Sequence, residues 1–360
     1  MSGGDSQGDW ADMLRRGARL ADAMSRASAG KLAIATTPKD EIWRDGKVSV
    51  SRYRTIAGPP KLGPLLILHG LFGRQTITDL EPRRSLVRKL LSAGVDLYVL
   101  DWGNSSRADM CLDFTDYAEF WLGDALAAIR ATSGAEKCAL FAICQGGVFA
   151  LCHAARHPEA VSGLALAVTP VDFHADLHDP NPGHGFLNVW ARNLAPPLIA
   201  EMIEEYGNLP GALTGAVFQQ LTPLKTASKY TTELAALADD PEALETFLRM
   251  ELWLSDRPDH PGAAARNWLI DLYSENRLVA GTFETDGIPV DLGAITCPIL
   301  NIVAEDDHIV PPPCCHALAG LTSSSNYKVL DVPTGHIGVF VSEKAREIVA
   351  PAVVDWLAAL

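Results

Sequence analysis

No run of about 18 apolar residues occurs in the chain, so a membrane-spanning helix is not expected. The first twenty residues, MSGGDSQGDWADMLRRGARL, lack the apolar stretch of a secretory leader, and a cytoplasmic protein is expected. Cysteine is sparse and odd in number: positions 111, 138, 144, 152, 297, 314 and 315, with neither Cys-x-x-Cys nor a Cys/His metal spacing. A disulfide framework and a zinc module are therefore not favoured. Basic charge is short as well, 30 Lys and Arg against 44 Asp and Glu for a formal net charge of −14. Nucleic-acid binding requires a basic face, so that class is excluded. Internal repeats and low-complexity tracts are missing too. What is present is an ordinary globular composition, 48% apolar and 21% charged over 360 residues. That suffices for one large domain with an insertion, or for two domains.

Short apolar runs alternate with amphipathic stretches through the first half, the pattern of βαβ units feeding a mostly parallel sheet flanked by helices. Expected strands are Pro64 to Leu68, Val95 to Asp101, Cys138 to Ile143, Leu164 to Val168, Ile299 to Ala304 and Tyr327 to Val332. Tyr117, Trp121, Ala125, Leu126 and Ile129 mark a helix by their spacing. The strand series pauses near Thr169, and the intervening chain is rich in Leu, Ala, Trp and Pro with helical periodicity. The expected division is a helical segment at 1–30, an α/β core at 31–170 and 294–360, and a helical cap at 171–293. The cap opens on DFHADLHDPNPGHG, a loop suited to be a hinge.

The apolar strand ending at Ile143 runs into Cys144, Gln145, Gly146 and Gly147 and then into a helix, which is the form of a nucleophile elbow. Small residues at Ala142 and Gly146 fit a turn where backbone crowds. At a helix N-terminus the macrodipole and free N–H groups favour a thiolate, which makes Cys144 the candidate nucleophile. In the chain order of such enzymes an acid and then a histidine follow late strands. Ile299 to Ala304 leads into Asp306 and Asp307, which compete for the acid role, and Tyr327 to Val332 leads into Gly335-His336. His69-Gly70-Leu71 follows the first apolar strand, where an oxyanion loop belongs. The backbone N–H of Leu71 or Phe72, with that of Gln145, is the candidate oxyanion hole. The other histidines, among them His153, His157 and His260, are assigned to surface, loop or core.

Over nearly its whole length the chain resembles the polyhydroxyalkanoate synthases, specifically the catalytic subunit of the class III enzymes, within the α/β-hydrolase superfamily. The resemblance rests on TPKDEIWRDGKVSVSRYR, DLEPRRSLVRKLLSAGVDLYVLDWG, the Cys144 box, VTPVDF, WLSDRPDHPG, LIDLYSENRLV, ILNIVAEDDHIVPP and GHIGVFVS. It implies an acyltransferase that polymerises (R)-3-hydroxyacyl-CoA, typically 3-hydroxybutyryl-CoA, at the surface of a cytoplasmic polyester granule. Cys144 is then the nucleophile, His336 the base and Asp307, directly before His-Ile-Val-Pro, the acid. No cofactor or metal is implied beyond the coenzyme A thioester substrate, whereas a separate partner subunit and a homo-oligomer are. Ala142 stands where the family's box has glycine, Ser105 and Ser106 where it has Pro-Asp, and the His69 to Gly73 loop is more hydrolase-like. A cysteine-type hydrolase, depolymerase or thioesterase with the same triad is the alternative.

Overall fold

A computed structural model describes residues 5–28, 30–179, 185–220, 228–229 and 234–360. Eight strands form one sheet: β1 (Lys39–Asp45), β2 (Val48–Tyr53), β3 (Leu62–Leu68), β4 (Val95–Asp101), β5 (Cys138–Ile143), β6 (Val161–Ala167), β7 (Ile299–Ala304) and β8 (Tyr327–Val332). Their order is β1-β2-β4-β3-β5-β6-β7-β8, and only β2 runs against the rest. All six expected strands are present. The two additional ones lie at an edge, where KDEIWRD in β1 alternates charged and apolar residues instead of forming an apolar run.

The central strands are apolar throughout because both of their faces are covered. Alternate residues of β3 divide between two cores: Leu66 and Leu68 pack with α3 (Leu122–Ser133) and α4 (Gln145–Arg156). Leu65 and Ile67 pack with α2 (Leu86–Ser92) and the C-terminal helix Glu343–Ala358. The helix expected from Tyr117 begins as a π-helical turn, Asp116–Trp121, before α3. The wider turn puts Leu122, not Trp121, in line with Tyr117 and leaves Glu119 buried.

The strand series breaks off at Ala167 and resumes at Ile299. Between them the described residues include the helices α5 (Phe186–Arg192), α6 (Pro196–Tyr206), α7 (Gly211–Gln220) and α8 (Pro241–Ser255), and two short strand pairs. In the expected hinge loop, residues 180–184 lie outside the described residues. The part before them is tied down, since the Asp176 carboxylate accepts from Arg192 at 2.6 Å and from Asn188 at 3.1 Å. The N-terminal helix α1 (Asp5–Ser28) packs Ala23 against Leu244 and Leu248 of α8 and pairs Arg26 with Glu245 at 2.7 Å.

Candidate active site

Strand β5 delivers Cys144 to the top of the sheet, at a turn with φ 53° and ψ −122°. A side chain is rarely held at positive φ, and the chain sustains it by closing the turn on both sides. Cys144 N–H donates to Ala167 O at 2.9 Å, and Gly147 N–H donates to Cys144 O at 2.9 Å. Glycine is required behind it: a Cβ at Gly146 would lie 2.7 Å from the Leu68 carbonyl oxygen, and one at Gly147 would strike the Thr169 hydroxyl. Cys138, Cys152, Cys314 and Cys315 are buried, and burial pushes their thiols up, Cys314 to about 12. Cys144 instead opens onto a cavity.

His336 follows β8, and its Nδ1–H donates to Asp307 Oδ2 at 2.7 Å. The second carboxylate oxygen accepts from Ile309 N–H at 2.8 Å and Val310 N–H at 2.9 Å, so Asp307, 0% exposed, is fixed by three donors. Asp306 points outward and is exposed. Burial alone would push the His336 imidazole down. The Asp307 carboxylate, hydrogen-bonded to the ring, and the nearby Cys144 outweigh it, so that its pKa is raised. His336 is thus hydrogen-bonded to Asp307 on one side and shares a cavity wall with Cys144 on the other. Neighbouring His308 also lines the cavity but is not the partner of Asp307.

The loop after β3 is held in a way the sequence did not disclose. Leu71 N–H donates to Gln145 Oε1 at 2.8 Å, so that amide is already committed. Leu71 is also absent from the cavity wall, which Phe72 joins. Of the two amides expected in this loop, Phe72 N–H is thus the one left for a ligand, beside that of Gln145 at the start of α4. The Gln145 side chain in turn donates from Nε2 to His260 Nε2 at 3.0 Å, and His260 Nδ1–H donates to Pro261 O at 3.2 Å. His260 also packs against Phe72, with ring centroids 4.6 Å apart and planes tilted by 41°. Arg257 Nη1 donates to Phe72 O at 3.1 Å while its guanidinium lies 4.8 Å from the Phe218 ring. The peptides on either side of the Phe72 amide are therefore pinned, one by Gln145 and the other by Arg257.

Cys144 and His336 line a cavity of about 800 Å³. Its wall is chiefly apolar and comes largely from the segment between β6 and β7, including Trp190, Ile199, Trp253 and Trp268. Trp253 is oriented by a 3.0 Å hydrogen bond from its indole N–H to Arg74 O. The space suits an acyl chain, and its scarcity of polar groups limits water beside the sulfur.

The α/β hydrolase fold family model matches residues 63–343. The chain is 37% identical to the poly(3-hydroxyalkanoate) polymerase subunit PhaC of Allochromatium vinosum over 349 residues, covering 96% of each. It is 36% identical to the protein of the same name from a Synechocystis species over 332 residues, covering 91% of this chain and 85% of that one. Among solved structures, a putative lipase from Sulfolobus solfataricus superposes with a TM-score of 0.54 at 17% identity, covering 89% of this chain and 93% of the other. That last likeness concerns the fold.

Proposed function

The chain belongs to the poly(3-hydroxyalkanoate) polymerase family and has the α/β-hydrolase fold, and from that premise we propose that it builds a polyester from (R)-3-hydroxyacyl-CoA, with 3-hydroxybutyryl-CoA as the substrate, through an acyl-Cys144 intermediate. The observation that supports the reading is the Asp307–His336 hydrogen bond together with Cys144 and His336 lining one large apolar cavity.

His336 takes the Cys144 proton and the sulfur attacks the thioester carbonyl. The oxygen that becomes anionic is received by the amides of Gln145 and Phe72, and coenzyme A leaves as its thiol. One thioester has replaced another, so the acyl group remains activated. The 3-hydroxyl of the next unit or of the chain end then attacks, giving its proton to His336; the acyl–sulfur bond breaks and Cys144 leaves, taking that proton back as its thiol, while Asp307 stabilises the imidazolium and fixes its tautomer. Water competes at this step, and the apolar wall favours the alcohol. Work at a cytoplasmic granule, association with a second copy and dependence on a separate partner subunit complete the proposal. The word subunit in the relatives' names supports the last of these.

The test is to incubate purified protein with (R)-3-hydroxybutyryl-CoA and measure released coenzyme A beside insoluble polyester and free 3-hydroxybutyrate. Polymer in proportion to coenzyme A supports the reading. Free acid in that proportion, with no polymer, replaces it with the cysteine hydrolase.

A further inference from the structure

At the far end of α4 from Cys144, Glu119, His153 and His157 bring one oxygen and two nitrogens within 4.8 Å of one another. His153 is 2% exposed, and among the described residues its Nε2 has no hydrogen-bond partner. Its Nδ1–H donates to Ala118 O at 2.8 Å, which makes Nε2 the bare lone pair. A buried acceptor with nothing to accept from is costly unless something else fills the place.

We propose that Glu119, His153 and His157 bind a divalent transition-metal ion, zinc in the first place. His153 lies in the last turn of α4 and His157 is the residue that caps it, its N–H donating to His153 O at 2.7 Å, and the two rings face each other with centroids 4.6 Å apart. His157 Nε2 already lies 2.8 Å from Glu119 Oε2, so the ion replaces the proton between them. A tetrahedral zinc site with bonds of about 2.1 Å has ligand-to-ligand edges of roughly 3.4 Å, which modest side-chain rotation reaches from the present positions. Two imidazoles with one carboxylate suit zinc, nickel and cobalt, whereas calcium and magnesium prefer shells of oxygen alone.

The surroundings are those of a supported site. Metal-bound histidines commonly donate their other ring N–H to a carbonyl or carboxylate. His153 does so to Ala118, and His157 Nδ1 lies 3.6 Å from Glu159 Oε1. Thr285 Oγ1 donates to Glu119 Oε1 at 2.6 Å, with Arg156 Nη1 3.7 Å from the same oxygen, leaving Oε2 for the ion. Arg156 opposes a second positive charge, but it is engaged by the Thr285 carbonyl and hydroxyl, and Glu159 adds a compensating charge. The His157 side chain is 38% exposed, which gives the ion an entry path and water a fourth position. Nine residues of helix, about 13–14 Å, separate His153 from Cys144, so the ion takes no part in acyl transfer. It staples α4 to the π-helical turn and, through Thr285, to the short strand pair at Glu284–Pro289.

The experiment uses the untagged full-length chain as its Cys144→Ala variant, so that the candidate nucleophile cannot take the metal. After treatment with a chelator and desalting, it is titrated with Zn²⁺ by calorimetry and with Co²⁺ by visible absorption. The expected result is one equivalent bound, a higher Tm with Zn²⁺, and a cobalt spectrum of nitrogen and oxygen ligation. Binding is lost in the half-exposed His157→Ala and in Glu119→Gln, and is weaker by about tenfold or more in Thr285→Val. Failure of the chain to bind, binding unchanged in His157→Ala and Glu119→Gln, or a sulfur-to-cobalt charge-transfer band would each overturn the site. None of these outcomes depends on polymerase activity.

Discussion

His260 Nε2 accepts a hydrogen bond from the Gln145 side chain at 3.0 Å across 115 residues of sequence, linking the segment between β6 and β7 to the residue after the candidate nucleophile. Because Gln145 Oε1 holds the Leu71 amide, the chain of contacts ends beside the Phe72 amide. Removing it loosens a donor that matters most when the carbonyl oxygen becomes anionic. Gln145→Ala and His260→Ala should therefore lower kcat by about 10–100-fold with little change in KM, somewhat less than deleting an oxyanion donor outright. His260→Gln, which can still accept from Gln145, should recover most of the rate. Loss in KM alone, or no recovery in His260→Gln, would reduce His260 to a packing residue.

The two adjacent aspartates predict different outcomes. Asp307→Asn removes the charge that stabilises the imidazolium and should cost about 10²-fold or more in rate, whereas Asp306→Asn should be nearly silent. Both variants should fold, since the first keeps a side-chain oxygen for the Ile309 and Val310 amides. Equal losses in coenzyme A release would contradict the assignment.

Acid stability offers a test that does not involve substrate. Burial lowers the His260 pKa to about 4, against the hydrogen bond to Pro261, while in the unfolded chain it titrates near the ordinary 6.5. Between those values the unfolded chain binds the extra proton, so His260 makes stability fall as pH falls from 6.5 toward 4 and has no such effect above 6.5. About 1.4 kcal/mol is at stake for each pH unit over which the two states differ in protonation. His69 and His153 are lowered to about 4 as well, so replacing His260 by Gln should reduce, not abolish, the dependence of Tm on pH in that window. Parallel profiles would show that His260 is not among the titrating groups.

If a partner subunit completes the enzyme, the isolated chain should show a lag in polymer formation that a class III partner subunit shortens. Helices α5 to α8 around the cavity are the elements whose closed form a partner would favour. Lag-free synthesis, unchanged by the partner, would count against that dependence.

Much of this site is legible before any coordinates. The parallel strands are visible because they are covered on both faces and so are apolar without interruption. Cys144 and His336 are visible because glycine crowds beside each. Asp307 is harder: it and Asp306 differ by one step in a turn, and which of them faces His336 depends on how Ile309 and Val310 fold back over the carboxylate. The grip of Arg257 and His260 on the Phe72 loop leaves no local trace, since periodicity describes a helix's own faces and carries nothing about which distant loop it meets. The edge strand β1 is missed for a similar reason, because a strand open to water needs no apolar run.

The central claim is an acyl group carried on one sulfur. Rapid mixing of the protein with (R)-3-hydroxybutyryl-CoA, acid quenching and peptide mass spectrometry read this directly. The account predicts a hydroxybutyryl or oligomeric adduct on the peptide bearing Cys144, hydroxylamine-labile as a thioester must be, and missing in Cys144→Ala, which remains folded and releases no coenzyme A. Polymer made by Cys144→Ala at an undiminished rate, or an adduct on another residue that persists in that variant, would contradict it.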